Sequence, residues 1–267
     1  MEPVKYVDRL NEKYRSLGFP AYEWTIYRNA PISPLQKPLS ECCVSILTTS
    51  GASRKQDPGF DPNARNDLRL DAIPADTPSD SFDINDNYHD HRSIVEDINC
   101  QFPIERLREL AADGTIGQSA PRHWSGFMGR IYKRSAIVAK AEEFAVSLQQ
   151  DKVDLLIVVP ACPLDHQTAG LVARTVEETG IATVTVSTGR DLSAQVLAPR
   201  TAFMNFPMGN AFGRQGDVDQ QRRILMDAIS LASQASTAGE LIDLPYDWGN
   251  EIAVHYRETT REFQLKK

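Results

Sequence analysis

A chain of 267 residues, 41% hydrophobic and 24% charged, has room for one large α/β domain or two small ones. Its net charge of -7, with no basic stripe, excludes a general affinity for nucleic-acid phosphates. The longest apolar run spans about seven residues, Val153 to Val159 with one Asp inside, against the roughly 20 needed to cross a bilayer; the charged start MEPVKYVDRLNEKYRS holds no signal core, so a cytoplasmic protein without a membrane segment is expected.

Residues 1–40 read as an N-terminal arm, helical early and then too rich in proline, at NAPISPLQKPLS, for a central element. The α/β domain is expected over 41–250, with a tail over 251–267. CCVSILTTSG reads as a buried strand stopped by Gly51. Residues 52–92 hold nine Asp and four Pro with no clean period, so a long acidic loop insertion is expected there, serving as a lid, a binding loop or a disordered segment. FPIERLRELAADG and GRIYKRSAIVAKAEEFAVSLQQ read as helices.

The remainder is regular. VDLLIVVP is a strand apolar on both faces, LDHQTAGLVARTVEETG a helix, IATVTVS and TAFMNF strands, and DVDQQRRILMDAISLASQA a helix with Asp217 as N-cap and Gln220 as its capping-box partner. Strand, helix and strand joined by short turns imply parallel pairing and right-handed crossovers. The expected fold is α/β: an open, mostly parallel sheet with helices on both faces, its sites at the carboxyl ends of the strands.

None of the four cysteines has a zinc spacing, and Cys42, Cys43 and Cys100 read as small buried apolar residues. Cys162 differs, because Pro163 suits the first helical position and makes Cys162 the N-cap. Unpaired N–H groups and the helix dipole favour a thiolate there. Asp165 competes for the same amides and its charge opposes a thiolate; it acts on Cys162 or merely caps the helix. His166 either relays a proton or lies on the helix surface. His89, His91, Asp97 and Asn99 sit together in HDHRSIVEDIN, which reads as substrate contact or a solvated loop rather than a metal site. FPMGNAFGRQGD, with Gly209 and Asn210, matches no nucleotide fingerprint and reads as an anion-binding or plain glycine-rich turn.

Five segments in order, CCVSILTTSG, HDHRSIVEDINCQFPIERLRELAADGTIG, VVPACPLDHQTAGLVARTVEETGIATV, FPMGNAFGRQGD and LPYDW, resemble the selenoprotein B family of glycine, sarcosine, betaine and D-proline reductases, especially its small proline-reductase-like proteins. The resemblance implies that Cys162 stands where the family's selenocysteine or cysteine attacks a substrate carbon and is regenerated by thiols. In the reading as a cysteine-dependent enzyme, Asp165 or His166 assists proton transfer, and His89, His91, Asp97, Asn99, Gly209 and Asn210 contact a small-molecule substrate. Family members often carry C-P-x-C here, but this chain has Asp165 in place of the second thiol, and no pyruvoyl-forming segment is evident. The expectations are therefore no bound cofactor, an external thiol or thioredoxin-like reductant, and a partner subunit or a homo-oligomer. Non-redox cysteine chemistry, or a ligand-binding relative without catalysis, is the alternative.

Overall fold

The computed structural model describes residues 2–128, 130–235, 237–249 and 252; the expected tail, Ile252 apart, lies outside the described residues. In chain order the elements are α1 (Tyr6–Ser16), β1 (Cys43–Thr48), β2 (Ala52–Arg54), β3 (Leu70–Pro74), β4 (Phe82–Ile84), α2 (Arg92–Glu96), α3 (Ile104–Ala112), β5 (Gln118–Ser119) and β6 (Arg122–Gly126). Then follow α4 (Arg134–Gln150), β7 (Leu155–Val159), α5 (Pro163–Glu178), β8 (Ala182–Ser187), α6 (Arg190–Val196), β9 (Arg200–Phe203), α7 (Val218–Gln234) and β10 (Glu240–Asp243). The main sheet runs β10-β9-β8-β7-β1-β6-β3, with β5 also beside β1. It is the expected mostly parallel sheet; β3 alone among its described strands runs antiparallel, against β6.

Side chains alternate across a strand, so the two faces collect different cores. Val44 and Ile46 of β1, Leu155, Ile157 and Val159 of β7, and Val184 and Val186 of β8 pack with α3 and α7. Leu47, Leu156 and Val158 point the other way and pack with α4 and α5. The β7 run is apolar at every position because both of its faces are covered.

The segment 52–92 is not the irregular loop expected. Its β2 and β4 form an antiparallel pair, its β3 is an edge of the main sheet, and α2 closes it. On the same side of the sheet, next to β3, Pro121 breaks the run between β5 and β6 and offers no N–H. There Nδ1 of buried His123 accepts the Ile46 N–H at 3.3 Å, and the Ser45 hydroxyl donates to the Arg122 carbonyl at 3.1 Å. Burial, and then Arg108, push the His123 pKa down to about 3, so the ring is a neutral structural acceptor.

The arm is strapped across the domain. Tyr6 of α1 packs with Leu192 of α6 and with Met208, and the Val7 N–H donates to Asp191 Oδ2 at 2.8 Å. The Thr25 N–H donates to Gln167 Oε1 at 2.7 Å. Further along, the Ser33 N–H donates to Glu177 Oε1 at 2.6 Å, while Arg200 Nη1 bonds that same oxygen at 2.6 Å and Arg200 Nη2 donates to the Ser33 carbonyl at 2.7 Å. Glu177 and Arg200 are fully buried, so this pair depends on its backbone and side-chain partners, although Arg200 Nε has none among the described residues.

Candidate active site

Val159 ends β7 and Pro163 begins α5, which leaves Cys162 as N-cap in extended conformation, φ -120° and ψ 169°. The capping box is reciprocal: the Cys162 N–H donates to Asp165 Oδ2 at 3.0 Å, and the sulfur faces the Asp165 N–H. Thr49, just past β1, clamps both elements. Its hydroxyl donates to Asp165 Oδ2 at 2.9 Å and accepts the Ala161 N–H at 3.0 Å. The expected N-cap position of Cys162 is therefore present, set at the carboxyl ends of the two central strands.

The expected thiolate is not. Cys162 is only 1% exposed, and burial, then the charges of Asp165 and Asp86, hold its pKa well above the ordinary thiol value. Burial and then Asp86 push Asp165 up to about 8, against the hydrogen bonds from Thr49 and Cys162. His166 is not a surface residue either. Its Nδ1 lies 2.8 Å from the Cys162 carbonyl and donates to it, while burial lowers its pKa to about 4 and leaves a neutral ring. Its Nε2, like Asp165 Oδ1, has no hydrogen-bond partner among the described residues.

Cys162, Pro163 and Leu164 floor a small cleft that opens to solvent. One wall is α1, through Leu10, Lys13 and Tyr14; the others carry Asn87 and Tyr88, and Arg130 and Tyr132. Burial, then Tyr132, Tyr22, Cys162 and Tyr88, raise the Tyr14 pKa. Such a lining offers apolar and aromatic surface with a few polar anchors, the usual make-up of a small-molecule site.

The other expected residues divide. His89 is buried beside Asp86, its Nδ1 3.3 Å from Asp86 Oδ2, and its ring meets that of His91 with centroids 6.1 Å apart. Gly209 is pressed on this turn: a Cβ there would stand 2.6 Å from the Asp90 carbonyl and 2.9 Å from His89 Cδ2. Asn210 is buried, with Oδ1 lacking a partner among the described residues. Asp97 and Asn99 instead hold loops together. Asp97 Oδ2 accepts from the Gly216 N–H at 2.9 Å and Gln221 Nε2 at 2.7 Å, and Asn99 ties Asp97 to Glu105. None of these six expected residues, His89, His91, Gly209 and Asn210 included, lines the cleft; the turn reaches it only through Asn87 and Tyr88. Thr49, Asp86, Tyr14 and Arg130 were not singled out in the sequence. Asp86 is one acid among nine in an aperiodic segment, and nothing in one sequence marks it out. Among the described residues, no group of three or more His, Cys, Asp or Glu is placed to hold a metal. No described helix is long and apolar enough to cross a membrane.

Over 217 residues the chain is 29% identical to the D-proline reductase subunit gamma of Acetoanaerobium sticklandii, covering 81% of this chain and 88% of that one. The chain is similar to subunits of D-proline, sarcosine and glycine reductases. It is 24% identical over 231 residues to the sarcosine reductase complex component B subunit beta of Peptoclostridium acidaminophilum. It is 23% identical over 236 residues to the glycine reductase complex component B subunit gamma of Carboxydothermus hydrogenoformans. These two alignments cover 84% and 85% of this chain but 52% of each relative, so the chain spans about half their length. No family model matches the chain, and no solved structure does.

Proposed function

We propose that this chain is a thiol-dependent reductase subunit acting on a small amine-bearing molecule, with Cys162 as the attacking group. One observation carries the reading: the floor of an aromatic-lined cleft holds a cysteine whose amide and sulfur are both engaged by Asp165. With a pKa near 8, Asp165 populates both its forms close to neutrality, as an acid–base group needs. In the ionised form it takes the thiol proton as the sulfur attacks the carbon bearing the amine. The C–N bond breaks, the amine leaves with the bonding electrons and a proton, and a thioether remains on Cys162.

An external dithiol then attacks the Cys162 sulfur. The C–S bond breaks, the carbon takes the electron pair and a proton, and the mixed disulfide is resolved by the second thiol. One C–N bond becomes C–H while two thiols become a disulfide. The reductant is external because Cys42, Cys43 and Cys100 are buried free thiols at other places in the fold. The reductase complexes to which the relatives belong make a partner subunit the natural companion.

The test is intact-mass analysis after incubation with D-proline, sarcosine, glycine or betaine, with and without a dithiol and candidate partner subunits. An adduct on Cys162 that the dithiol removes is expected; full turnover by Cys162→Ser would overturn the reading. The depth of the thiol and its raised pKa favour a second reading, a subunit that binds the ligand while a partner does the chemistry. That reading requires saturable ligand binding without any adduct.

A further inference from the structure

Asp86 and His89 lie on the turn between β4 and α2, and neither side chain is exposed at all. Nδ1 of His89 and Oδ2 of Asp86 are 3.3 Å apart. Removing two charged groups from water is costly unless each answers the other, so a pair buried in this place has a reason in its surroundings. The turn is fastened to the Cys162 site from two sides. The Asn85 N–H donates to the Gly51 carbonyl at 3.0 Å, two residues beyond the Thr49 that bonds Asp165. A Cβ on Gly51, whose φ is +69°, would stand 2.5 Å from the Asn85 carbonyl, so only glycine lets the turn come this near. On the far side Gly209 presses on the His89 ring.

The remaining bonds leave the pair aimed inward. Oδ1 of Asp86 accepts the Tyr88 N–H at 2.6 Å. Oδ2 of Asp86, both ring nitrogens of His89 and Oδ1 of Asp165 have no hydrogen-bond partner among the described residues, so the 3.3 Å approach of Asp86 and His89 is a charge contact rather than an aligned hydrogen bond. The charge of Asp86 acts on both Asp165 and Cys162. Burial works against a charged His89, but Asp86, Asp165 and Asp90 outweigh it and raise its pKa. The titratable groups about Asp165 are thus Cys162 and the neutral His166 on α5, and Asp86, His89 and Asp90 on the turn; Thr49 and Gly209 add no charge.

We propose that Asp86 and His89 are a positioning pair, a buried carboxylate and a buried imidazolium that together set the protonation of Asp165 and, through it, of Cys162. The carboxylate keeps a proton on the Asp165–Cys162 couple; the imidazolium limits how strongly. The catalytic meaning of the pair rests on the reading of Cys162 as the reacting thiol, whereas its electrostatic action does not.

The two members push in opposite directions, and that is what the experiment reads. The side-chain carboxyl of Asp165 is followed by ¹³C NMR against pH in the full-length protein, in Asp86→Asn and in His89→Gln. Asp86→Asn is expected to lower the Asp165 midpoint by about one pH unit or more, and His89→Gln, which leaves Asp86 uncompensated, to raise it. Shifts of the same sign, or none, overturn the proposal, since a merely structural role has no reason to split the signs. Ring nitrogen NMR of the wild-type protein supplies a readout that does not depend on a variant folding. His89 should be more than half protonated at the unperturbed midpoint of about pH 6.5. A ring found mostly neutral there also overturns the pair. If opposite shifts are found yet Cys162→Ser still turns over substrate, the pair stands and the assignment of Cys162 as nucleophile falls.

Discussion

At Cys162 two physical effects oppose each other, and their sizes decide the outcome. A helix N-terminus favours a nearby negative charge by about 0.3–1 kcal/mol, or about 2 in good geometry. Burying that charge costs several kcal/mol, and two carboxylates nearby add to it. The thiol therefore rests protonated, and Asp165 holds the balance. Asp165→Asn keeps an oxygen to accept from Thr49 and Cys162 but removes the charge. The Cys162 midpoint should fall in that variant, as seen by pH-resolved alkylation and peptide mapping, while turnover should drop by about 10²- to 10⁴-fold if Asp165 moves the proton. An unchanged alkylation profile would show that Asp165 only caps the helix. The Cys162–Pro163–x–Asp165 spacing was enough to read the N-cap and its partner from sequence. The depth of the thiol was not legible, because it depends on α1 and on the 85–89 turn, which are far away along the chain.

Among elements, α1 has an unexpected part. It is a wall of the cleft, yet it is seated mainly through Tyr6 on Leu192 and Met208, a cluster separate from both main cores. Small outlying clusters open more easily than a core. Tyr6→Ala should loosen α1 and speed alkylation of Cys162, about tenfold for each 1.4 kcal/mol of seating lost. Equal rates in variant and wild type would show that α1 does not govern access. By contrast Ile157→Ala, in the middle of β7, should cost about 2–5 kcal/mol in denaturant unfolding. β7, α5, β8 and α7 were readable because their apolar runs and periods are long. Asp217 caps α7 as expected, accepting the Gln220 N–H at 3.0 Å, but the Gln220 side chain turns instead to the Arg214 N–H at 2.9 Å. β3 and β6 were missed because LDAIP and RHWSG mix proline, glycine and charge into short edge-side strands, where only pairing partners reveal a strand. The seven-residue α6 was missed for want of length.

Over the whole molecule the buried ionisable groups set a stability profile. His123 and His166 have lowered values, so the unfolded chain takes up protons first and stability is lost as pH falls below about 6.5. Asp165 and His89 have raised values, so their contributions are complete at low pH and are lost as pH rises, for Asp165 across the window from 3.8 to about 8. Thermal unfolding should show a maximum near pH 6.5, where the histidine contribution is complete and the alkaline loss is still partial. In Asp165→Asn the melting temperature relative to wild type should climb between about pH 5 and 8. A flat difference would mean that the Asp165 carboxyl is not held protonated in the fold. The buried Glu177–Arg200 pair has another consequence, one of timing. Ser33 emerges early from the ribosome, but the two side chains that grip it are made 144 and 167 residues later. This part of the arm stays ungripped until Glu177 and Arg200 have been made, and the wall over Cys162 waits longer still, for Leu192 and Met208 to seat α1.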